Sequence, residues 1–319
     1  MKPHSKNACG GNFKDWMEVN LLQKCNAHCA WCVERDGWHP KEHADWKTIA
    51  RQAVKSGNKN IILLGGEPTL YPYLKEVIEY LEAWNKNVWI TTNGSMLNTE
   101  FIKQELRGIT GINISLHSTY MFKNQDITGI MITGLEKSIK ALHDIGASVR
   151  LNCNCIKGYV DSEEEIEHYV DFAKEVGADK IRFAELKQDD GKFVDLTKIL
   201  NYKYGTNDDP FINGCNNDVV INGMPVNFRQ MCGLQTGMRP LPENPEQETS
   251  KVLYYDGKMY DGWQIIKQGE PMDSKNLESL LQNVASGVVK PEVAHAMIDG
   301  AHKKEVRSAV NESGDGCVY

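Results

Sequence analysis

Short apolar runs alternate with amphipathic stretches from about Trp16 to Leu186, the pattern expected of βα units around a parallel sheet. Six strands are predicted, at Met17–Leu22, Asn60–Leu64, Asn87–Thr91, Gly111–Leu116, Ser148–Cys153 and Lys180–Ala184, each short and rich in aliphatic or β-branched residues. Helices are expected between them near His43–Ser56, Tyr73–Trp84, Thr99–Leu106 and Gly134–Ile145. The clearest is Ser162–Val176, where Ser162 can cap, Glu163 to Glu165 suit the positive helix end, Gly177 can close, and Ile166, Val170 and Ala173 form the core stripe. After the first strand an irregular insertion precedes its helix. The fold class is therefore α/β, an open partial (βα)6 barrel of the TIM type.

Beyond about Lys187 the chain turns to Asn, Asp, Gly and Pro, with the stiff connector Pro240-Leu241-Pro242-Glu243-Asn244-Pro245. Val252 to Tyr260 reads as a β-hairpin, because Asp256-Gly257 supplies the positive φ angles of a tight turn. The expected organisation is an N-terminal extension over 1–15, a barrel core over 16–190, and a smaller α+β region over 191–319 that serves substrate binding or capping.

Composition adds exclusions. A length of 319 residues allows one large α/β unit with an appendage, and a hydrophobic fraction of 41% with 25% charged residues is globular. A formal net charge of −7 argues against nucleic acid as a partner, since phosphate binding relies on surplus Lys and Arg. No apolar run is long enough for a membrane span, and the polar start is unlike a signal peptide, so a cytoplasmic location is expected. Nine cysteines in such a chain point to metal or redox chemistry rather than disulfides.

Three of those cysteines, Cys25, Cys29 and Cys32, fall within eight residues directly after the first strand. Active sites of β/α barrels lie at the C-terminal strand ends, so this loop would hold a metal over the barrel mouth. Three thiolates on a four-iron cubane leave one iron open, unlike the four-cysteine sites of ferredoxins. A zinc knuckle with His28 or a distant residue as fourth ligand is the plainer reading of clustered Cys and His.

The spacing CxxxCxxC, with Trp31 before the last cysteine, resembles the radical S-adenosylmethionine (radical SAM) superfamily. Gly65-Gly66-Glu67-Pro68 after the second strand is similar to that superfamily's GGE motif, and its glycines would permit close approach by a ligand. The segment Gly177 to Leu186 looks like the sixth strand of its molybdopterin-biosynthesis and peptide-maturase branch. The resemblance implies one [4Fe-4S] cluster on Cys25, Cys29 and Cys32, with SAM's amino and carboxylate groups chelating the open iron. It further implies reductive cleavage of SAM to a 5′-deoxyadenosyl radical, which takes a hydrogen atom from a small-molecule, nucleotide or peptide substrate. A reductant such as flavodoxin or ferredoxin is implied as partner. Residues expected to line the SAM site are Trp31, Gly65, Gly66, Glu67, Pro68, Asn93, Ser115, His117, Arg150 and Asn152.

Strand alternation sends Arg150, Asn152 and Asn154 to one face and Leu151, Cys153 and Cys155 to the other, without saying which face is interior. Arg150 either meets a carboxylate of the ligand or closes a structural ion pair. Relatives in that branch often carry an auxiliary cluster, but Cys215 and Cys232 stand isolated, so no second cluster is expected; most of Cys153, Cys155, Cys215 and Cys232 read as core residues, convergence of the four being the alternative. Cys317, near the C-terminus, is a candidate hydrogen-atom donor to a substrate radical. Two other classes are weighed: an activase installing a glycyl radical on a partner protein, and a non-enzymatic iron–sulfur or zinc module.

Overall fold

A computed structural model describes residues 15–32, 34–35, 39–186, 191–203, 216–230 and 251–261. Its chain forms two compact units, residues 1–31 with 42–262, and residues 32–41 with 263–319. In the first unit six parallel strands lie side by side in chain order. They are β1 (Trp16–Asn20), β2 (Asn60–Leu64), β3 (Asn87–Thr92), β4 (Gly111–Ser115), β5 (Ser148–Asn154) and β6 (Lys180–Ala184). The helices between them are α1 (Trp46–Lys55), α2 (Leu74–Ala83), α3 (Thr99–Glu105), α4 (Met121–Thr128), α5 (Leu135–Asp144) and α6 (Glu163–Glu175), with α7 (Leu196–Lys203) after β6.

Local chemistry accounts for the boundaries. The Ser162 hydroxyl accepts from the Glu165 N–H at 3.2 Å, three glutamates occupy the first turn of α6, and Gly177 follows its end at φ +84°. Its buried residues are Ile166, Tyr169, Val170 and Ala173, so the expected stripe gains a tyrosine. Tyr169 belongs there because its hydroxyl reaches the Leu116 carbonyl at 2.8 Å.

Helix α4, helix α7 and one hairpin were not foreseen. The helix α4 has a weak apolar stripe and is fixed instead by tertiary contacts, among them the His28 N–H on the Thr128 carbonyl at 2.7 Å. A hairpin of β7 (Asn216–Ile221) and β8 (Met224–Arg229) turns on Asn222-Gly223, both at positive φ. The foreseen hairpin forms as β9 (Lys251–Leu253) and β10 (Met259–Asp261) around Asp256-Gly257.

These hairpins continue the sheet on both sides: β8 pairs with β6 and β9 with β1, each in parallel, giving ten strands. Covering the exposed edges of a parallel sheet removes unpaired backbone donors and acceptors. On the six barrel strands one set of alternate residues is fully buried against the helices, as with Val149, Leu151 and Cys153 of β5. The other set faces the concave interior. Glu18 on β1 acts electrostatically on Arg182 of β6, although strands five places apart in a flat sheet would stand about 24 Å from each other. The sheet therefore curls, and Arg150, Asn152 and Asn154 point inward while Cys153 and Cys155 pack in the core.

Candidate active site

The loop from Leu21 to Lys24 rests directly on the turn after β2. The Gly66 N–H donates to the Leu22 carbonyl at 2.7 Å, and the Glu67 N–H to the Lys24 carbonyl at 2.9 Å. A methyl group on Gly66 would lie 2.3 Å from the Lys24 oxygen, and one on Gly65 would lie 2.5 Å from the Leu22 oxygen. Gly65 also has φ +134°, so it is required twice over. The close approach that these glycines allow is thus made by the cysteine-bearing loop itself.

Glu67 is 1% exposed, and its carboxylate is spent on the fold. Oε1 accepts from the Thr69 N–H at 3.0 Å, the Thr69 hydroxyl at 2.6 Å and the Thr92 hydroxyl at 2.6 Å, and Oε2 from the Asn93 N–H at 2.7 Å. It caps the 3-10 turn Pro68–Leu70, with Pro68 at its first position, and ties the β2 exit to the β3 exit.

From the β3 exit a second network returns to the loop. The Asn93 side-chain amide donates to Asn26 Oδ1 at 2.8 Å and reaches Cys25 Sγ at 3.9 Å, while Asn26 donates to the Ser95 hydroxyl at 2.9 Å. Cys25 Sγ also accepts from the Ala27 N–H at 3.3 Å. Burial raises the Cys25 thiol pKa, against the lowering by the Ala27 N–H, and bound iron would reverse that order by stabilising the thiolate. In the second unit the Arg35 N–H lies 3.4 Å from Cys32 Sγ, and His39 and Glu34 pair at 3.5 Å.

Cys25 is exposed overall, with its sulfur partly desolvated by the loop around it, and Cys29 and Cys32 are half-buried. Among the described residues no three His, Cys, Asp or Glu side chains are gathered at the spacing of a single metal ion. Thiols that each bind a separate iron of a cubane need no such spacing, and N–H donors to sulfur are what such clusters use to set their potential. This donor set fits a three-cysteine iron–sulfur cluster.

Further along the interior, Ser115 pairs in register with Asn152, and the Arg150 Nε donates to Asn152 Oδ1 at 2.9 Å. Arg150 forms no ion pair among the described residues. His117 is buried under the loops: its Nδ1 accepts from the Asn154 N–H at 3.0 Å, which puts the ring proton on Nε2. Burial pushes its pKa down to about 4, and the Trp31 ring meets it edge-on at 5.2 Å between centroids. Cys317, Cys215 and Cys232 lie outside the described residues. The residues not anticipated are Asn26, Thr92 and Ser95, whose sequence signal is the polar run that leaves β3, and Arg182, whose signal is an alternate position on β6.

Comparison with known proteins agrees with this arrangement. Residues 19–173 match the radical SAM superfamily. Bovine molybdenum cofactor biosynthesis protein 1 is 28% identical over 205 residues, covering 60% of this chain and 32% of its own length. The chain thus spans about a third of that relative. GTP 3′,8-cyclase of Aquifex aeolicus is 26% identical over 258 residues, covering 76% of this chain and 72% of its own. Streptococcus suis SuiB bound to S-adenosylmethionine shares the fold with a TM-score of 0.54 at 21% identity, over 77% of this chain and 60% of its own.

Proposed function

We propose that this chain, which belongs to the radical SAM superfamily through residues 19–173, cleaves S-adenosylmethionine reductively and abstracts a hydrogen atom from its substrate. The superfamily uses a [4Fe-4S] cluster and SAM and acts on small-molecule or peptide substrates. Cys25, Cys29 and Cys32 would hold the cluster, which would supply the electron for cleavage of a sulfonium C–S bond of SAM to methionine and the 5′-deoxyadenosyl radical.

The observation that carries the reading is the CxxxCxxC loop held against Gly65, Gly66 and Glu67 by two backbone hydrogen bonds. Those bonds fix where the loop leaves β1, and Asn93 and Asn26 fix its first thiol. With its carboxylate occupied, Glu67 would meet the SAM amino group through its backbone. Asn93, Ser115, Asn152 and Arg150 line the interior as hydrogen-bond and carboxylate partners for SAM, while His117 and Trp31 form a wall beside them. Gly65 and Gly66 shape the floor and Pro68 fixes the turn.

The substrate is a small molecule, nucleotide or peptide. The named activity of the GTP cyclases supports the nucleotide class, and the complex of SuiB with its precursor peptide supports the peptide class. Residues 191–319 serve as the substrate and capping region, Cys317 as hydrogen donor, and a flavodoxin or ferredoxin as electron source. Among the described residues no helix is long and apolar enough to cross a membrane, which is in keeping with a cytoplasmic site of action.

Anaerobic reconstitution with iron and sulfide, followed by dithionite and SAM, tests the reading. Wild type should form 5′-deoxyadenosine by mass spectrometry and Cys29→Ala should not. Absence of product from wild type with a full iron complement would refute it.

A further inference from the structure

Three residues from two loops close a ring of hydrogen bonds beside the first motif cysteine. The Ser95 N–H donates to Asn93 Oδ1 at 2.9 Å, the Asn93 amide nitrogen donates to Asn26 Oδ1 at 2.8 Å, and the Asn26 amide nitrogen donates to the Ser95 hydroxyl at 2.9 Å. Asn26 directly follows Cys25, and Asn93 with Ser95 lies just past the end of β3.

The ring leaves one orientation for each amide. A backbone N–H can only donate, so the Asn93 atom that meets Ser95 is its oxygen, and its NH2 group must face the cysteine loop. That group has two hydrogens to give. One goes to Asn26, and the nitrogen lies 3.9 Å from Cys25 Sγ, where the other can be directed. Asn26 then meets Asn93 through its oxygen, which leaves its own NH2 for the Ser95 hydroxyl. Behind the ring, the Asn93 N–H is anchored on Glu67 Oε2 at 2.7 Å. Both donors of the Asn93 side chain are thus turned toward the loop, and one lone pair of Oδ1 remains for SAM.

The electrostatics of the sulfur call for such a donor. Burial pushes the Cys25 thiol pKa up, the Ala27 N–H pulls it down, the Glu67 charge pushes it up, and the Asn93 amide pulls it down. Desolvation and a nearby carboxylate both disfavour negative charge on this sulfur, and two N–H groups offset them. One-electron reduction of a cluster bound there adds negative charge, so an N–H aimed at the sulfur favours the reduced form and raises the potential. At 3.9 Å the contact is long, and a small rotation of an unrestrained amide would end it.

We infer that Asn26 and Ser95 are positioning residues that hold the Asn93 amide against Cys25 Sγ and thereby raise the reduction potential of the cluster. The inference rests on the radical SAM reading for the cluster itself and goes beyond it in assigning what tunes it.

Full-length protein, reconstituted anaerobically with iron and sulfide and kept free of SAM, is titrated electrochemically while electron paramagnetic resonance follows the reduced cluster. Asn26→Ala should lower the midpoint by about 28 mV or more, a threefold shift toward the oxidised form at about 59 mV per tenfold for one electron. Asn93→Ala should lower it at least as far. Ser95→Ala should move it in the same direction, and Ser95→Thr, which keeps the hydroxyl, should match wild type. Asn98→Ala is the structural control: its side chain caps α3 through the Phe101 N–H at 3.0 Å, so it should melt lower with an unchanged midpoint. If Asn26→Ala retains no cluster, Ser95→Ala carries the comparison.

An unchanged or raised midpoint in the variant that carries the comparison overturns the inference, as does an equal shift in Asn98→Ala. Iron content and the 5′-deoxyadenosine assay on the same preparations separate the two readings. A wild type that cleaves SAM, with equal midpoints across the variants, removes the tuning ring alone. A wild type that holds a four-iron cluster and shows the shifts but forms no 5′-deoxyadenosine removes the radical chemistry alone, and one that holds no cluster removes both.

Discussion

Replacing Gly66 by alanine puts a methyl carbon 2.3 Å from the Lys24 carbonyl oxygen and 2.4 Å from that of Gln23. Carbon and carbonyl oxygen rest in contact at about 3.3 Å, so the strands of loop and turn must part by about 1 Å. The hydrogen bonds now at 2.7 Å and 2.9 Å, from Gly66 N–H to Leu22 and from Glu67 N–H to Lys24, would then be stretched out of range. Losing two such bonds costs about 2 kcal/mol net, and more if the donors stay buried. The cost falls on the loop that carries Cys25 and Cys29, so cluster retention should suffer more than global folding. We expect cluster affinity to fall by about tenfold, as for a lost supporting contact around a metal site. Iron and sulfide content after anaerobic reconstitution and desalting, beside a urea titration, measures both. Gly146→Ala is the control: Gly146 has φ +85° and nothing within 4 Å, so it should lose about 1 kcal/mol of stability and no iron. If Gly66→Ala keeps its iron and stays within about 0.5 kcal/mol of wild type, the close-approach argument is wrong.

Other expectations can be checked on the same protein. Glu67→Ala orphans donors from Thr69, Thr92 and Asn93, so urea unfolding should show a loss of about 3 kcal/mol, and an unchanged midpoint would refute that role. His117 has a folded pKa of about 4, below its unfolded value of about 6.5. The unfolded chain therefore binds the extra proton first, so the stability held above about pH 6.5 is lost as pH falls toward about 4, by roughly 3 kcal/mol at most. The wild-type stability slope across that window should flatten in His117→Gln. Ser162→Ala should cost about 1 kcal/mol through the lost cap of α6, read by thermal melting. Tyr169→Phe leaves the Leu116 carbonyl without its donor and should cost about 1 kcal/mol by the same measurement.

Much of this protein is written locally. Strands β2 and β6 begin and end where their apolar runs do, and α6 lies between a serine cap and a glycine, because capping and periodicity act within a few residues. The CxxxCxxC spacing and the GGEP turn are also local, so the cluster-binding chemistry was legible before any fold was known. The helix α4 was not, since contacts with the distant cysteine loop decide it rather than a stripe of its own. Alternation along β5 told which residues share a face, but only the curl of the sheet and the placement of helices on its convex side decided that Arg150 and Asn152 face inward. The role of Glu67 likewise needed two segments brought together, for its hydrogen-bond partners come from both its own turn and the end of β3. Sequence thus determined the six barrel strands, most of the helices between them and the thiol motif. Tertiary structure decided which polar groups meet, as where Arg150 and Arg182 reach Asn152 and Asn227, because that depends on strands brought together from across the chain.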